Sequence, residues 1–92
     1  MNNINDTLTE REKRYGDFCG HAHITQTIKD VMKCDIGWND LNDSQKEALE
    51  MIAHKIGRII NGDPNYADSW HDIAGYATLV ENELTKTTKD HA

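Results

Sequence analysis

Residues 44–61, SQKEALEMIAHKIGRIIN, carry the most regular helical pattern in the chain. Ser44 followed by Glu47 has the form of a capping box, in which each side chain satisfies a free amide at the start of a helix. Asn61-Gly62 predicts a left-handed stop. The apolar residues recur at helical spacing: Leu49, Ile52, Ala53, Ile56, Ile59 and Ile60. The stretch therefore predicts a helix over residues 44–61.

A second helical stretch follows Pro64. Asp68 or Ser69 is expected to cap this helix, and Asp72 falls in its first turn, where the helix dipole favours an anion. Its apolar stripe, expected to anchor the helix to the core, consists of Trp70, Ile73, Ala77, Val80 and Leu84. A glycine costs about 1 kcal/mol inside a helix. We therefore expect Gly75 to permit the close approach of a neighbouring helix.

The first half of the chain predicts one short helix and one longer helix. Thr9 is expected to cap the short helix, which Gly16 ends after Tyr15, and Asp17 is expected to cap the longer one. The apolar side of the longer helix comprises Phe18, Ala22, Thr25, Ile28, Val31 and Met32. Residues 34–42 are predicted to form a loop.

These elements predict an all-α fold, a small antiparallel bundle of one short helix and three longer helices. Residues 1–92 are expected to form a single helical domain, with a core at about 9–85 and flexible tails at 1–8 and 86–92. A chain of 92 residues has a small core, and this one carries more apolar positions than three helices readily hide. We therefore predict a homo-oligomer.

Composition and charge exclude several classes of function. The net charge is −6 at pH 7, so the chain lacks the basic surface of a general nucleic-acid binder. No apolar run approaches the roughly 20 residues that span a bilayer, which predicts no membrane insertion. Cys19 and Cys34 are too few for a disulfide scaffold. We interpret them as reduced thiols, which predicts a cytoplasmic protein.

Polar residues on the third and fourth helices form the candidate binding site. A spacing of four residues places His54 and Arg58 on one stripe of the third helix, beside Lys55. The simplest interpretation is a salt bridge from Lys55 or Arg58 to Asp72. The alternative is an anion or nucleotide pocket, in which the cations contact phosphate and an aromatic ring stacks on a base. The candidate ligand-binding residues are His54, Lys55, Arg58, Trp70, Asp72 and Tyr76.

Four carboxylates define a candidate metal site. Glu47 and Glu50 face the same way on the third helix, and Asp68 and Asp72 lie about one turn apart on the fourth. If the two pairs converged, their oxygens would suit Mg²⁺, which polarises phosphate or activates water. Each pair also has a structural interpretation, because Glu47 belongs to the capping box and the two aspartates favour the helix dipole.

Four motifs occur in order along the chain: RYGDF at 14–18, ITQTIK at 24–29, QKEALEMIAHKIGRI at 45–59, and GDP at 62–64 with WHDIAGYA at 70–77. Together they resemble a small family of tailed-phage and prophage proteins of unknown function. The resemblance covers roughly residues 11–84. It implies a helical domain of phage origin and implies no activity.

The Glu47-Ala48-Leu49-Glu50 pair is similar, more loosely, to the MazG-like all-helical nucleotide pyrophosphohydrolases. Those proteins bind Mg²⁺ with a Glu-x-x-Glu pair and a later Glu-x-x-Asp pair. Here the second pair is broken, because Ser69 stands where the glutamate is expected and Asp68 is one residue out of place. The resemblance implies a related helical scaffold.

These observations lead us to expect a phage accessory protein that acts by binding rather than by catalysis. Its partner would be a host protein, such as a defence component, or a nucleotide-like small molecule in the cytoplasm of the infected bacterium. The alternative is a metal-dependent nucleoside triphosphate pyrophosphohydrolase, in which Mg²⁺ is bound by Glu47, Glu50, Asp68 and Asp72. A second alternative is a structural interaction module. No catalytic residue is predicted, and no cofactor unless the pyrophosphohydrolase alternative holds.

Overall fold

The computed structural model of the chain describes residues 3–90, and within them every regular element is helical. The helices are α1 (Ile4–Tyr15), α2 (Phe18–Cys34), α3 (Asp43–Asn61) and α4 (Ala67–Asp90). A short 3₁₀ helix, Ile36–Asp40, lies within the segment predicted as a loop. The prediction of an all-α fold is confirmed. No helix among the described residues is long and apolar enough to cross a membrane.

The start of α3 differs slightly from the prediction. Asn42, not Ser44, is the N-cap, and Gln45 rather than Glu47 completes the capping box. Gln45 donates its backbone N–H to Asn42 Oδ1 at 2.8 Å, and Asn42 donates its own N–H to Gln45 Oε1 at 2.9 Å. Asparagine and glutamine satisfy the same motif two residues earlier in the chain, so the helix begins at Asp43.

The starts of α1 and α4 were also predicted too late. α1 is capped by Asn3 in a capping box with Asp6, so Thr9 lies inside the helix. α4 begins at Ala67, because the turn before it is organised by Asp63, whose Oδ1 accepts the N–H of Asn65 at 2.9 Å. Neither Asp68 nor Ser69 is therefore the cap. The predicted boundaries at Gly16 and Asp17 are confirmed.

The segments predicted as tails are helical over residues 4–8 and 86–90, and Asn3 is the N-cap of α1. Residues 4–8 belong to α1, and residues 86–90 belong to α4. Residues 1–2 and 91–92, which fall in the same predicted tails, lie outside the described residues.

Two glycines play roles other than those predicted. Gly62 has φ −126°, so it ends α3 without a left-handed residue; a Cβ there would collide with the backbone of Arg14 and Tyr15. Gly75 has no neighbouring atom within 4 Å of a Cβ position, so its predicted role in close helix packing is wrong. The close approach occurs at Gly57, where a Cβ would overlap Thr25 Oγ1.

α3 lies between α2 and α4 and packs against both, while α1 rests on α2 and α3. Ser44, near the start of α3, hydrogen-bonds to Glu83, whereas Lys55, further along α3, contacts Asp72 near the start of α4. Contacts in opposite order along two helices are those of an antiparallel pair. Within residues 3–90, α2 and α4 do not form a packed pair, so the three long helices make a single layer.

Little apolar surface is fully buried in this layer. The buried residues comprise two alanines and several polar or small residues: Ala48, Ala53, His21, Thr25, Lys55, Gly57 and Ser69. Trp70, predicted to anchor α4 to the core, is 55 % exposed, and its Nε1–H instead donates to the Pro64 carbonyl at 2.9 Å. Leu84, from the predicted apolar stripe of α4, is exposed, and so are Phe18 and Val31, from the predicted apolar side of α2.

The last residue of α3 connects three elements. Asn61 Nδ2 donates to the carbonyl oxygen of Tyr15 at 2.9 Å and to that of Asp17 at 2.7 Å. The backbone N–H of Asp63 donates to the Arg14 carbonyl at 2.7 Å. These hydrogen bonds hold the end of α1 against the end of α3.

Candidate functional site

Two histidine rings meet where α2 packs against α3. His21 Nε2 lies 3.2 Å from His54 Nδ1, and the rings are edge to face with centroids 4.6 Å apart. His21 is buried and His54 is partly buried. When both rings are neutral, one of the facing nitrogens donates a hydrogen bond and the other accepts it.

Gly57 permits this arrangement of side chains. Its missing Cβ would overlap Thr25 Oγ1 and lie 3.1 Å from His21 Nδ1. Thr25 Oγ1 also lies 3.5 Å from His21 Nε2. Because position 57 has no side chain, both His21 and Thr25, one turn apart on α2, pack directly against α3.

The surroundings of the two histidines favour their neutral forms. Burial, followed by the positive charge of Arg58 and the neighbouring His21, lowers the pKa of His54 to about 4. Burial, followed by the charge of Arg58, also lowers the pKa of His21. Both rings are therefore uncharged at neutral pH, and each presents one donor and one acceptor nitrogen.

Arg58 lies one turn beyond His54 and stacks on an aromatic ring of α1. Its Cζ is 4.2 Å from the centroid of the Tyr15 ring, a cation–π contact. Among the residues whose side chains the structure describes, no carboxylate lies within 4.0 Å of the Arg58 guanidinium. The guanidinium therefore carries a charge that no neighbouring side chain neutralises.

An open cavity of about 410 Å³ lies between α1, α2 and α3 around these groups. This volume falls within the roughly 300–1,000 Å³ of small-molecule sites. Two arginines and one glutamate supply its charged groups, so the cavity is locally positive in a chain of net charge −6. Its lining residues are Leu8, Arg11, Glu12, Tyr15, Gly16, Phe18, His21, His54 and Arg58.

The predicted salt bridge between the third and fourth helices is present and involves Lys55. Lys55 Nζ lies 2.9 Å from Asp72 Oδ2. Arg58, the other cation considered for this pair, contacts Tyr15 instead. The hydrogen bond from Lys55 lowers the pKa of the Asp72 carboxyl. This ion pair fastens α4 to α3.

The structure divides the predicted ligand-binding residues between separate places. His54 and Arg58 line the cavity on the α1 side of α3. Asp72 and Tyr76 line a shallow groove made by α4 alone. Trp70 lines neither of these, since its indole is bonded to the loop before α4. Tyr76 also lines the groove between α3 and α4. Within the predicted set, His54 and Arg58 are therefore the residues that share the cavity between α1, α2 and α3.

A comparison of the chain with known families gives one match, which covers residues 1–84 and is described as "Domain of unknown function (DUF6378)". The chain belongs to the DUF6378 family. No curated protein matches the chain, and no solved structure matches it either.

The four carboxylates proposed for Mg²⁺ do not form a metal site in this DUF6378 domain. Glu50 pairs with Lys33 at 3.4 Å, Asp72 pairs with Lys55, and Asp68 accepts a hydrogen bond from the Tyr66 hydroxyl at 3.0 Å. Glu47 is exposed and lines a groove between α3 and α4. Among the described residues, no group of three or more His, Cys, Asp or Glu is arranged to hold a metal ion. This donor set does not fit Mg²⁺.

Several residues of the DUF6378 cavity were not singled out from the sequence. His21 has no predicted role at the site. Tyr15 is predicted only as the last residue of the short helix, and Phe18 only as part of the apolar side of the longer one. A usable signal lay in the spacing, since His21 and Thr25 are four residues apart on α2 and His54 and Gly57 are three apart on α3. A glycine within an apolar helix facing such a pair indicates a close helix crossing.

Proposed function

We propose that the protein binds a small anionic ligand with a planar ring, of the nucleotide type, in the cavity between α1, α2 and α3. The observation that carries this proposal is Arg58, which lines an open cavity of about 410 Å³ beside aromatic side chains and has no carboxylate within 4.0 Å among the described side chains. A guanidinium in this position offers paired N–H donors to a phosphate.

The remaining groups of the cavity suit the rest of such a ligand. Tyr15 and Phe18 offer ring surface for stacking. His54 Nδ1 faces His21, so the neutral His54 offers its other ring nitrogen, Nε2, as one donor or one acceptor to a base edge or a hydroxyl group. The Glu12 carboxylate is placed to accept a hydrogen bond from a ribose hydroxyl. The Arg11 guanidinium would attract a second phosphate.

Binding is favoured over catalysis by the way the acidic residues are used. A pyrophosphohydrolase of the MazG-like type would need Glu47, Glu50, Asp68 and Asp72 to converge on Mg²⁺. In this chain Glu50 and Asp72 are each engaged by a lysine, and these lysines lie on different helices. We therefore propose a binding protein.

The setting of this activity follows from the resemblance to tailed-phage proteins. We propose a phage accessory protein that works in the cytoplasm of the infected bacterium and takes up a nucleotide-like molecule from the host. A host protein, including a defence component, is the alternative partner. The predicted homo-oligomer is a separate proposal, which does not depend on the ligand.

Calorimetric titration of the full chain with the four nucleoside 5′-monophosphates tests the proposal. At least one of them should bind. If adenosine 5′-monophosphate binds, adenosine alone and inorganic phosphate alone should each bind more weakly than the intact nucleotide. Arg58→Gln should weaken binding at least tenfold, because the phosphate loses its cation. Lys13→Gln removes the same charge from an exposed position outside the cavity and should leave the affinity unchanged.

Two results would overturn the proposal. One is the absence of binding by all four nucleotides at millimolar concentration. The other is equal affinity in the parent and in Arg58→Gln, which would place any bound nucleotide elsewhere on the protein.

A further inference from the structure

The layer formed by α2, α3 and α4 is covered on one side only. α2 and α4 lie on opposite flanks of α3, and α1 rests on the side that holds His54 and Arg58. Helical domains usually bury their apolar faces between two layers. The other side of this layer has no second layer among the described residues.

An uncovered apolar face runs along α3. At about 100° per residue, Leu49, Ile56 and Ile60 lie within a sector of about 40°, roughly opposite His54 and Arg58. Leu49 is 41 % exposed and Ile60 is 65 % exposed, although both are aliphatic. These three residues form the centre of what we call the open face.

The flanking helices extend the open face in both directions. On α4, Leu84 lies on the flank away from Asp72, the residue that contacts Lys55. On α2, Val31 lies on the flank away from Phe18, which lines the cavity. Both side chains are more than half exposed. The open face therefore crosses three helices, and all five of its named residues are uncharged.

The chain as a whole exposes more surface than a compact monomer of its mass, which leaves enough area for an interface. The chain exposes 6814 Å². A folded monomer of 10.5 kDa is expected to expose about 5,400 Å². The excess of about 1,400 Å² exceeds the roughly 800 Å² that each partner buries in a standard protein–protein interface. The radius of gyration, 16.2 Å, likewise exceeds the roughly 12 Å expected for a compact domain of this length.

We propose that the open face packs against the same face of a second copy of the chain, so that two single layers form one two-layer dimer. Charge favours this occupant. Two copies that each carry −6 repel one another, and the five named residues of the open face meet their own copies without like-charge contact. The same negative charge disfavours anionic membrane surfaces.

This arrangement leaves the cavity accessible. The cavity lies on the α1 side of the layer, and the open face lies on the opposite side. The dimer therefore does not rest on the proposed ligand, and its failure would leave the binding proposal intact.

Light scattering after size-exclusion chromatography of the full chain at about 10 μM tests the dimer. The parent should have twice the mass of the 10.5 kDa chain. Ile60→Glu and Val31→Glu, each on a different helix of the open face, should both yield a single-chain mass while keeping the helical circular dichroism. Two variants are used because one of them alone could impair folding.

Leu79→Glu is the matched control. Leu79 is 61 % exposed, close to the 65 % of Ile60, but it lies on the Asp72 flank of α4, away from the open face. This variant should remain dimeric. A parent of single-chain mass would overturn the proposal and assign the face to a different protein or to a lipid surface. Dimers that persist in both Ile60→Glu and Val31→Glu would also overturn it.

Discussion

Lys55 Nζ lies 2.9 Å from Asp72 Oδ2, and the two partners differ sharply in exposure. The Lys55 side chain is only 10 % exposed, whereas that of Asp72 is 42 % exposed. Among the described side chains, Asp72 is the carboxylate that compensates the charge of the lysine ammonium, and this carboxylate also has access to water. The pair contributes to stability mainly by preventing a nearly buried cation from being left alone.

Asp72→Ala should lower the melting temperature by several degrees, because it leaves the Lys55 ammonium unpaired. Lys55→Met combined with Asp72→Ala should recover part of the loss, since no buried charge then remains. Thermal unfolding followed by circular dichroism at a fixed chain concentration measures both effects. Since the pKa of Asp72 is lowered in the folded chain, this contribution is present at neutral pH and is lost as the pH falls below about 4.

Glu10→Ala provides the matched control for the ion pair. Glu10 pairs with Lys13 at 3.6 Å on α1, and both side chains are at least 65 % exposed. An exposed pair of this kind contributes about 0–1 kcal/mol. A loss of stability in Glu10→Ala as large as that in Asp72→Ala would show that burial of Lys55 is not the cause.

The histidine pair predicts a loss of stability in mild acid. The unfolded chain protonates position 54 near pH 6.5, whereas the folded chain does so only near its lowered pKa of about 4. Stability should therefore fall between pH 6.5 and pH 4, by about 1–2 kcal/mol after allowance for solvent screening of a partly exposed ring. Urea unfolding at a series of pH values measures this slope.

His54→Gln should flatten that slope, because glutamine does not titrate. His23→Gln replaces an exposed histidine of α2 and should keep it. If the stability of His54→Gln falls with pH as steeply as that of the parent and of His23→Gln, the stability loss in acid does not arise from His54.

Two glycines within helices should respond in opposite directions to alanine. Gly57→Ala should destabilise by about 1–3 kcal/mol, because the new methyl group overlaps Thr25 and crowds His21. Gly75→Ala should stabilise by up to about 1 kcal/mol, because the position is helical and no atom lies within 4 Å of the new methyl group. Chemical denaturation of both variants measures the difference. Equal effects would contradict the helix crossing at Gly57.

The sequence predicts features that depend on neighbouring residues and misses those that depend on distant ones. The length of α3 follows from its own periodicity, and the Gly16 and Asp17 boundaries follow from local backbone preferences. The predicted starts of α1, α3 and α4 differ from the observed ones, because more than one polar residue near each start is able to cap the helix. The His21–His54 contact joins residues 33 positions apart, so no local pattern specifies it.

The contrast between Gly57 and Gly75 has the same origin. Both glycines interrupt an amphipathic helix, and propensity treats them alike. Only the position of α2 distinguishes them, because α2 crosses α3 at Gly57 whereas no helix crosses α4 at Gly75.

Asn61 should control how firmly α1 is attached. Asn61→Ala removes the hydrogen bonds to the carbonyls of Tyr15 and Asp17, which should cost about 1–2 kcal/mol and speed amide hydrogen exchange in α1. Asn82→Ala, an exposed change on α4, should leave the exchange of α1 unaltered. Unchanged exchange in Asn61→Ala would mean that α1 is held by other contacts.

The most direct test of the binding account is a two-dimensional ¹H–¹⁵N spectrum of the full chain titrated with the nucleoside 5′-monophosphate that binds most tightly. The account predicts that the largest shifts fall on the cavity residues Tyr15, Phe18, His54 and Arg58, with little change over residues 74–79 of α4. Largest shifts confined to residues 74–79, or no shifts at millimolar nucleotide, would contradict it.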